Sequence, residues 1–202
     1  MGKDWTGGKR SVFTTLGASN HSSEERESND YYATHPDAIN YLKKKIELPH
    51  LILEPACGEG HLSERLKELG HEVMSYDIVD RGYGEVQNFF EMLTAPTDKD
   101  FAIVTNPPYK YAMEFVSHSM ELVPDGMLVC MFLKTTFLEG KRRYNELFRF
   151  TPPLCVLQFV ARILCAKNGD FDAMRAKGGS AAAYAWFIWR KGYNGKTTVD
   201  WI

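Results

Sequence analysis

Apolar and polar positions change rhythm several times along this chain. Residues 1–29 show little periodicity and are rich in Ser, Gly, Thr, Asn and charge, the composition of a flexible arm. Between Thr34 and Glu47, Ala38, Ile39, Leu42 and Ile46 recur at helical spacing, with Thr34 as a cap and Pro36 at an early helical position. Strand and helix patterns then alternate. Leu51–Leu53 is a short apolar strand, Gly58–Gly60 a tight turn, and His61–Leu69 a helix with Leu62, Leu66 and Leu69 on one face. Gly70, tolerant of positive φ, ends that helix. Strands are predicted over Glu72–Ile78 and, more weakly, Gly84–Asn88. Strand Phe101–Asn106, helix Tyr111–Leu122, strand Met127–Leu133, helix Lys141–Phe148 and strands Leu154–Val160 and Ala183–Arg190 complete the series.

Seven strands, most of them separated by helical patterns, make the βαβ rhythm of an α/β fold with helices on both faces of a mostly parallel sheet. No helix pattern separates the last two strands, so the last is expected to run antiparallel. Their connection, residues 161–182, is long for a compact domain and reads as a lid or a nucleic-acid contact element. Residues 30–202 form a single domain, a size that supports a sizeable core in a chain of 202 residues.

Composition is ordinary for a globular protein, with 44% apolar and 25% charged residues. No apolar stretch is long enough to span a bilayer and no charged-then-apolar leader opens the chain. Cys57, Cys130, Cys155 and Cys165 show no metal-like pairing, and three lie in or beside predicted core strands, which suits a reducing, intracellular setting. The six histidines have no ligand spacing either, so no metal site is expected. The formal net charge of −2 hides an asymmetry: residues 1–129 carry 12 Lys+Arg against 21 Asp+Glu, and residues 130–202 carry 12 against 5. A basic C-terminal part is what a polyanion-binding face leaves on an otherwise acidic protein. Lys134, Lys141, Arg142, Arg143 and Arg149 cluster around one predicted helix, and Arg162, Lys167, Arg175 and Lys177 occupy the long connection, with Phe171 as a further ring. Either group could follow phosphates, and either could be a merely solvated surface.

Strand ends carry the chemistry. Asn106-Pro107-Pro108-Tyr109 stops the strand begun at Phe101, because two prolines cannot continue a sheet. The stiffened corner falls where open α/β sheets present ligands. An amide oxygen from Asn106, the Pro107 carbonyl and the flat ring of Tyr109 suit a planar substrate bearing an amino group. Upstream, Glu54-Pro55-Ala56-Cys57-Gly58-Glu59-Gly60 joins the first strand to its helix, and Gly58 and Gly60 allow a sharp turn and close backbone approach. Glu54 ends the first strand and Asp77 the second, where an acid can accept both ribose hydroxyls of a nucleoside. The third glycine of the dinucleotide fingerprint is missing, which turns the reading from a pyrophosphate toward S-adenosylmethionine (SAM).

Leu53–Gly60 resembles the SAM-binding motif of the gamma class of DNA adenine N6-methyltransferases, in which it precedes Asn-Pro-Pro-Tyr, as here. Asp30–Pro36 is similar to that class's N-terminal SAM contact, and the likeness extends to small bacteriophage-encoded methyltransferases over Leu16–Pro36. Residues 30–140 are covered well, the remainder vaguely. The resemblance implies a class I SAM-dependent methyltransferase (Rossmann-like) fold, SAM as cofactor and methylation of adenine N6 in DNA after base flipping. It implies SAM contacts from Tyr31, Tyr32, Thr34, Glu54, Pro55, Ala56, Cys57, Gly58, Gly60, Asp77, Ile78, Asn88, Phe89 and Asn106. Asn106, Pro107, Pro108 and Tyr109 become the catalytic set, and DNA the partner, with Lys141, Arg142, Arg143, Arg162, Arg175 and Lys177 as contacts. Asn88-Phe89 departs from the family's Asp-Phe, and one of Phe89 and Phe90 is expected only to pack in the core. RNA bases or protein glutamine remain alternative targets, as does a SAM-fold nucleic-acid-binding protein without catalysis.

Overall fold

The computed structural model describes residues 32–167, 169–176 and 182–202. The N-terminal arm over 1–29, Tyr31, Lys177 and the Gly178-Gly179 pair lie outside the described residues. In chain order the elements are β1 (Tyr32–Thr34), α1 (Asp37–Lys43), β2 (Leu51–Glu54), α2 (His61–Glu68), β3 (Glu72–Asp77), β4 (Glu85–Val86) and β5 (Phe101–Thr105). They continue with α3 (Ala112–Leu122), β6 (Leu128–Lys134), α4 (Lys141–Arg143), β7 (Cys155–Gln158), β8 (Cys165–Lys167), α5 (Phe171–Ala176), β9 (Tyr184–Arg190) and β10 (Thr198–Trp201). The helix predicted over Lys141–Phe148 is α4 followed by a π-helical turn at Tyr144–Phe148.

Eight strands form the main sheet in the order β10-β7-β9-β6-β5-β2-β3-β4. Strand β9 runs antiparallel to both β6 and β7, and every other pairing in this sheet is parallel. The antiparallel strand is therefore present as predicted, but the count of seven is corrected to eight and β9 is not last. Strand β10 follows it and pairs in parallel with β7 along the sheet edge. Its four residues, Thr-Val-Asp-Trp, are half-buried or exposed, so no apolar run announces it.

Strict alternation along the central strands divides the core between the two faces. Leu51, Leu53, Phe101, Ile103, Val129, Met131, Phe187 and Trp189 point to one side, where α3 lays Ala112, Phe115 and Val116 against them. Ile52, Ala102, Val104, Cys130, Phe132, Trp186 and Ile188 point to the other, under Ala38, Ile39 and Leu42 of α1 and Leu62 and Leu66 of α2. Truncating any of the fully buried aliphatic side chains, such as Leu53 or Ile103, costs on the order of 2–5 kcal/mol.

A separate two-stranded sheet pairs β1 with β8, with Tyr32 opposite Lys167, Ala33 opposite Ala166 and Thr34 opposite Cys165. Thr34 is thus a strand residue and not the cap of the first helix, which begins at Asp37 behind Pro36. A strand partner some 130 residues away decides this, and no local pattern carries that information. The same pairing means that the connection over 161–182 holds a strand and a short helix where the sequence shows a loop.

At the turn after β2, Gly60 has φ +84°, and a Cβ there would meet the Tyr83 ring at 2.6 Å. Tyr83 is itself tied to Glu64 Oε1 at 2.6 Å and to Lys67 Nζ at 2.8 Å, so it cannot retreat freely. Gly60→Ala is expected to lower the unfolding free energy by about 1–3 kcal/mol, read as a reduced urea midpoint. An unchanged midpoint would show that the turn has room to spare.

Candidate active site

The carboxyl ends of β2, β3 and β5 open onto one cavity of about 650 Å³. Its lining includes Tyr32, Thr34, Glu54, Pro55, Ala56, Cys57, Asp77, Ile78, Asn88, Phe89, Asn106, Pro107 and Pro108. Two strand-end motifs and the N-terminal strand, far apart in sequence, therefore meet around a single space. Gly58 and Gly60 shape the turn without lining the cavity.

Asn106 follows the last residue of β5. Its Nδ2 donates to the Tyr32 carbonyl at 2.8 Å and contacts Cys165 Sγ at 3.7 Å. Its Oδ1 is buried and has no hydrogen-bond partner among the described residues. A buried, unsatisfied carbonyl oxygen costs about 1–3 kcal/mol, so it is retained at the cavity wall at the expense of stability. Tyr109 stands behind this corner and not in the cavity wall. Its Oη is hydrogen-bonded to Cys165 Sγ at 3.2 Å, and its ring centroid lies 6.0 Å from that of Tyr184 and 6.2 Å from that of Tyr32. Desolvation holds the Tyr109 hydroxyl well above its ordinary pKa, so it stays neutral. The Cys165 thiol, raised by its own burial, is neutral too.

Glu54 is 1% exposed and receives a hydrogen bond from Ser63 Oγ, which is in turn 2.6 Å from Ser75 Oγ. Burial pushes its carboxyl up to about 8; the Ser63 bonds oppose the rise, the Asp77 charge adds to it and the Lys67 charge subtracts. Burial also pushes the neighbouring Cys57 thiol up to about 12, which leaves it unreactive. Asp77 is built differently. Its Oδ2 accepts from the Gly58 N–H at 2.8 Å and its Oδ1 from the Val79 N–H at 3.0 Å, so the carboxylate pins the glycine turn to the end of β3. Each oxygen keeps a lone pair for a ligand. Ile78, next along, is 58% exposed at the cavity.

Asn88 caps the short turn Phe89–Glu91, accepting from the Phe90 N–H at 3.1 Å and donating to Glu91 Oε1 at 3.0 Å. Phe89 is the core member of its pair, 4.9 Å from Phe115 and 4.7 Å from His118 between ring centroids. Phe90 is 38% exposed and also lines the cavity, so the two rings divide the roles that the sequence left open. Phe171 packs edge-on between His35 (5.1 Å) and His61 (5.4 Å).

Sequence reading misses His61, Arg81, Phe90, Lys110, Tyr111 and Phe115, all in the lining. His61 directly follows the glycine turn and Lys110-Tyr111 directly follows the Pro-Pro corner, so adjacency was an available signal. Arg81 and Phe115 had none. Among the described residues, no group of three or more His, Cys, Asp or Glu is arranged to hold a metal ion, and no helix is long and apolar enough to cross a membrane.

No family model matches this chain, and no curated protein matches it. Solved structures do. A Listeria monocytogenes protein described as a class I SAM-dependent methyltransferase superposes with a TM-score of 0.55 at 12% identity, over 93% of this chain and 70% of that one. A type I restriction-modification methyltransferase subunit from Streptococcus thermophilus gives 0.59 at 13% identity, over 86% and 48%. A protein from Vibrio vulnificus described as a type I restriction enzyme modification subunit gives 0.56 at 15%, over 85% and 46%. The chain spans about half the length of these two subunits. The fold is that of class I SAM-dependent methyltransferases, as predicted.

Glu54 links the site to pH. Its folded pKa lies above the ordinary 4.5, so between about 4.5 and 8 the ligand-free folded state binds more protons than the unfolded chain. Stability therefore falls as pH rises through that window. Glu54→Gln is expected to flatten the decline by up to one proton, about 1.4 kcal/mol per pH unit, in urea titrations across the window. Identical slopes in both proteins would mean that the proton resides elsewhere.

Proposed function

We propose that this chain methylates the N6 amino group of adenine in DNA, with SAM as methyl donor. The observation that carries the reading is the Asn106 carboxamide, a cavity-lining residue anchored through Nδ2, with Oδ1 buried and unpartnered among the described residues. SAM, when bound, supplies a sulfonium methyl group open to attack by an amine. Its charge and shape suit the remaining residues. Glu54 would ionise opposite the cofactor's ammonium, Asp77 would accept from ribose hydroxyls, and Ile78, Asn88 and Phe90 would border its adenine, with Tyr32, Thr34 and the 55–60 turn closing around the rest.

Adenine N6 is a weak nucleophile because its lone pair is delocalised into the ring. Asn106 Oδ1 and the Pro107 carbonyl would accept its two hydrogens and draw the nitrogen toward tetrahedral geometry. These bonds strengthen as positive charge develops, so they stabilise the transition state more than the ground state. Pro108 keeps the corner rigid, which holds the acceptors in place. The base would be flipped out of the duplex or arrive single-stranded. Tyr109, which stands behind the corner and does not line the cavity, would brace the acceptors and not stack on the base. Glu-Pro-Ala-Cys at the turn after β2 favours DNA over RNA or protein as the acceptor.

Incubation with SAM and mixed-sequence oligonucleotides, followed by mass analysis of nucleosides, is expected to reveal N6-methyladenine. Methyl groups found only in RNA or protein would refute the substrate. Asn106→Ala is expected to lower turnover by roughly 10²- to 10³-fold with little change in SAM affinity. Tyr109→Ala, which removes the packing behind Asn106, is expected to lower turnover and to spare SAM binding, as a rate assay beside titration calorimetry would register. Wild-type turnover would remove Tyr109 from the bracing role.

A further inference from the structure

The cationic residues of the C-terminal part are not equivalent. Arg142 donates to Glu146 at 3.0 Å and to Glu114 at 3.3 Å. Arg143 turns back on the chain and donates to the carbonyls of Phe137 at 2.8 Å, Thr136 at 3.2 Å and Glu139. Arg175 pairs with Asp172 at 3.4 Å. Arg142 and Arg175 are thus aligned with local acids and Arg143 with backbone carbonyls, so their N–H donors are partly committed within the chain.

Two lysines at the carboxyl edge of the sheet differ. Lys110 is exposed, lines the cavity beside Pro108 and holds Nζ 5.0 Å from the centroid of the Tyr111 ring. Lys134 ends β6 with its Nζ 4.8 Å from the centroid of Tyr109. Strands β5 and β6 are in register at Thr105 and Met131, so Lys134 and Pro108 each stand three residues beyond one rung. Among the described residues neither lysine forms an ion pair; each is held by an aromatic face alone. A cation over a ring is pre-positioned yet keeps N–H donors for an anion. The cavity carries the carboxyl groups of Glu54 and Asp77 at the ends of β2 and β3, with Arg81 also in the lining, and the Lys110 ammonium group beside the Pro-Pro corner.

We propose that Lys110 and Lys134 hold backbone phosphates of the nucleic-acid strand whose base enters at the Asn106–Tyr109 corner. A base within the cavity leaves its sugar and phosphates at the rim, where Lys110 stands, with Lys134 at the end of the next strand. The inference rests on the methyltransferase reading above and adds the residues that grip the strand. It also removes Arg142 and Arg143 from that task.

The test is the salt dependence of binding, followed by anisotropy of a short labelled, adenine-containing single-stranded DNA and of its RNA counterpart. Each phosphate contact contributes about 0.7 to the slope of log K against log salt on a single strand. Lys110→Gln and Lys134→Gln are each expected to reduce the slope by about that amount and the double variant by about twice as much, while Lys→Arg at either site preserves it. Arg142→Gln is expected to leave the slope unchanged, and SAM affinity and melting temperature to stay at wild-type values in every lysine variant. A double variant with the wild-type slope, in a protein that still methylates DNA, would overturn this inference alone. A wild-type protein that binds SAM but neither oligonucleotide would overturn it together with the polynucleotide reading.

Discussion

A single hydrogen bond, from Asn106 Nδ2 to the Tyr32 carbonyl, orders the site. It fixes the amide with its N–H₂ end toward β1 and leaves Oδ1 as the end without a hydrogen bond among the described residues. The bond exists because β1 lies beside the end of β5, and β1 is held there by β8. Cys165 of β8 touches both Asn106 Nδ2 and Tyr109 Oη, so the minor sheet braces the whole Pro-Pro corner from behind. Backbone stiffness from the prolines and side-chain orientation from the minor sheet are separate contributions, and the corner needs both.

Electrostatics divides the two acids of the cavity. Asp77 is held by two backbone N–H groups and serves the structure even without a ligand. Glu54 has no such support beyond Ser63 and lies in an apolar environment, so it keeps a proton when no cation is near. A cationic ligand would favour the charged form of Glu54 on its arrival.

Much of this was legible from local pattern. Unbroken apolar runs over Phe101–Val104 and Leu128–Leu133 mark central strands because both faces are buried, and the glycine turn and the Pro-Pro corner announce themselves by backbone chemistry. Glu54, Asp77 and Asn106 were locatable because strand ends in α/β sheets face one side. What failed was non-local. Thr34 reads as a cap until Cys165 is seen opposite it, and β10 has no apolar run because it is an edge strand. The placement of Tyr109 behind the corner is decided by Tyr184 and Cys165, which lie more than 50 residues away. Arg142 and Arg143 look alike in sequence, and only geometry reveals that one serves acids and the other carbonyls.

The minor sheet has three rungs, whereas the main one buries whole strands on both faces. Small, peripheral pairings open at lower free energy than a core. The brace on Asn106 and the integrity of the fold are therefore separable in energy. The amide could swing loose in a molecule that is otherwise fully folded, and amide exchange at Ala166, faster than at Val104, would register it. Heat or denaturant should then silence this protein well before it melts.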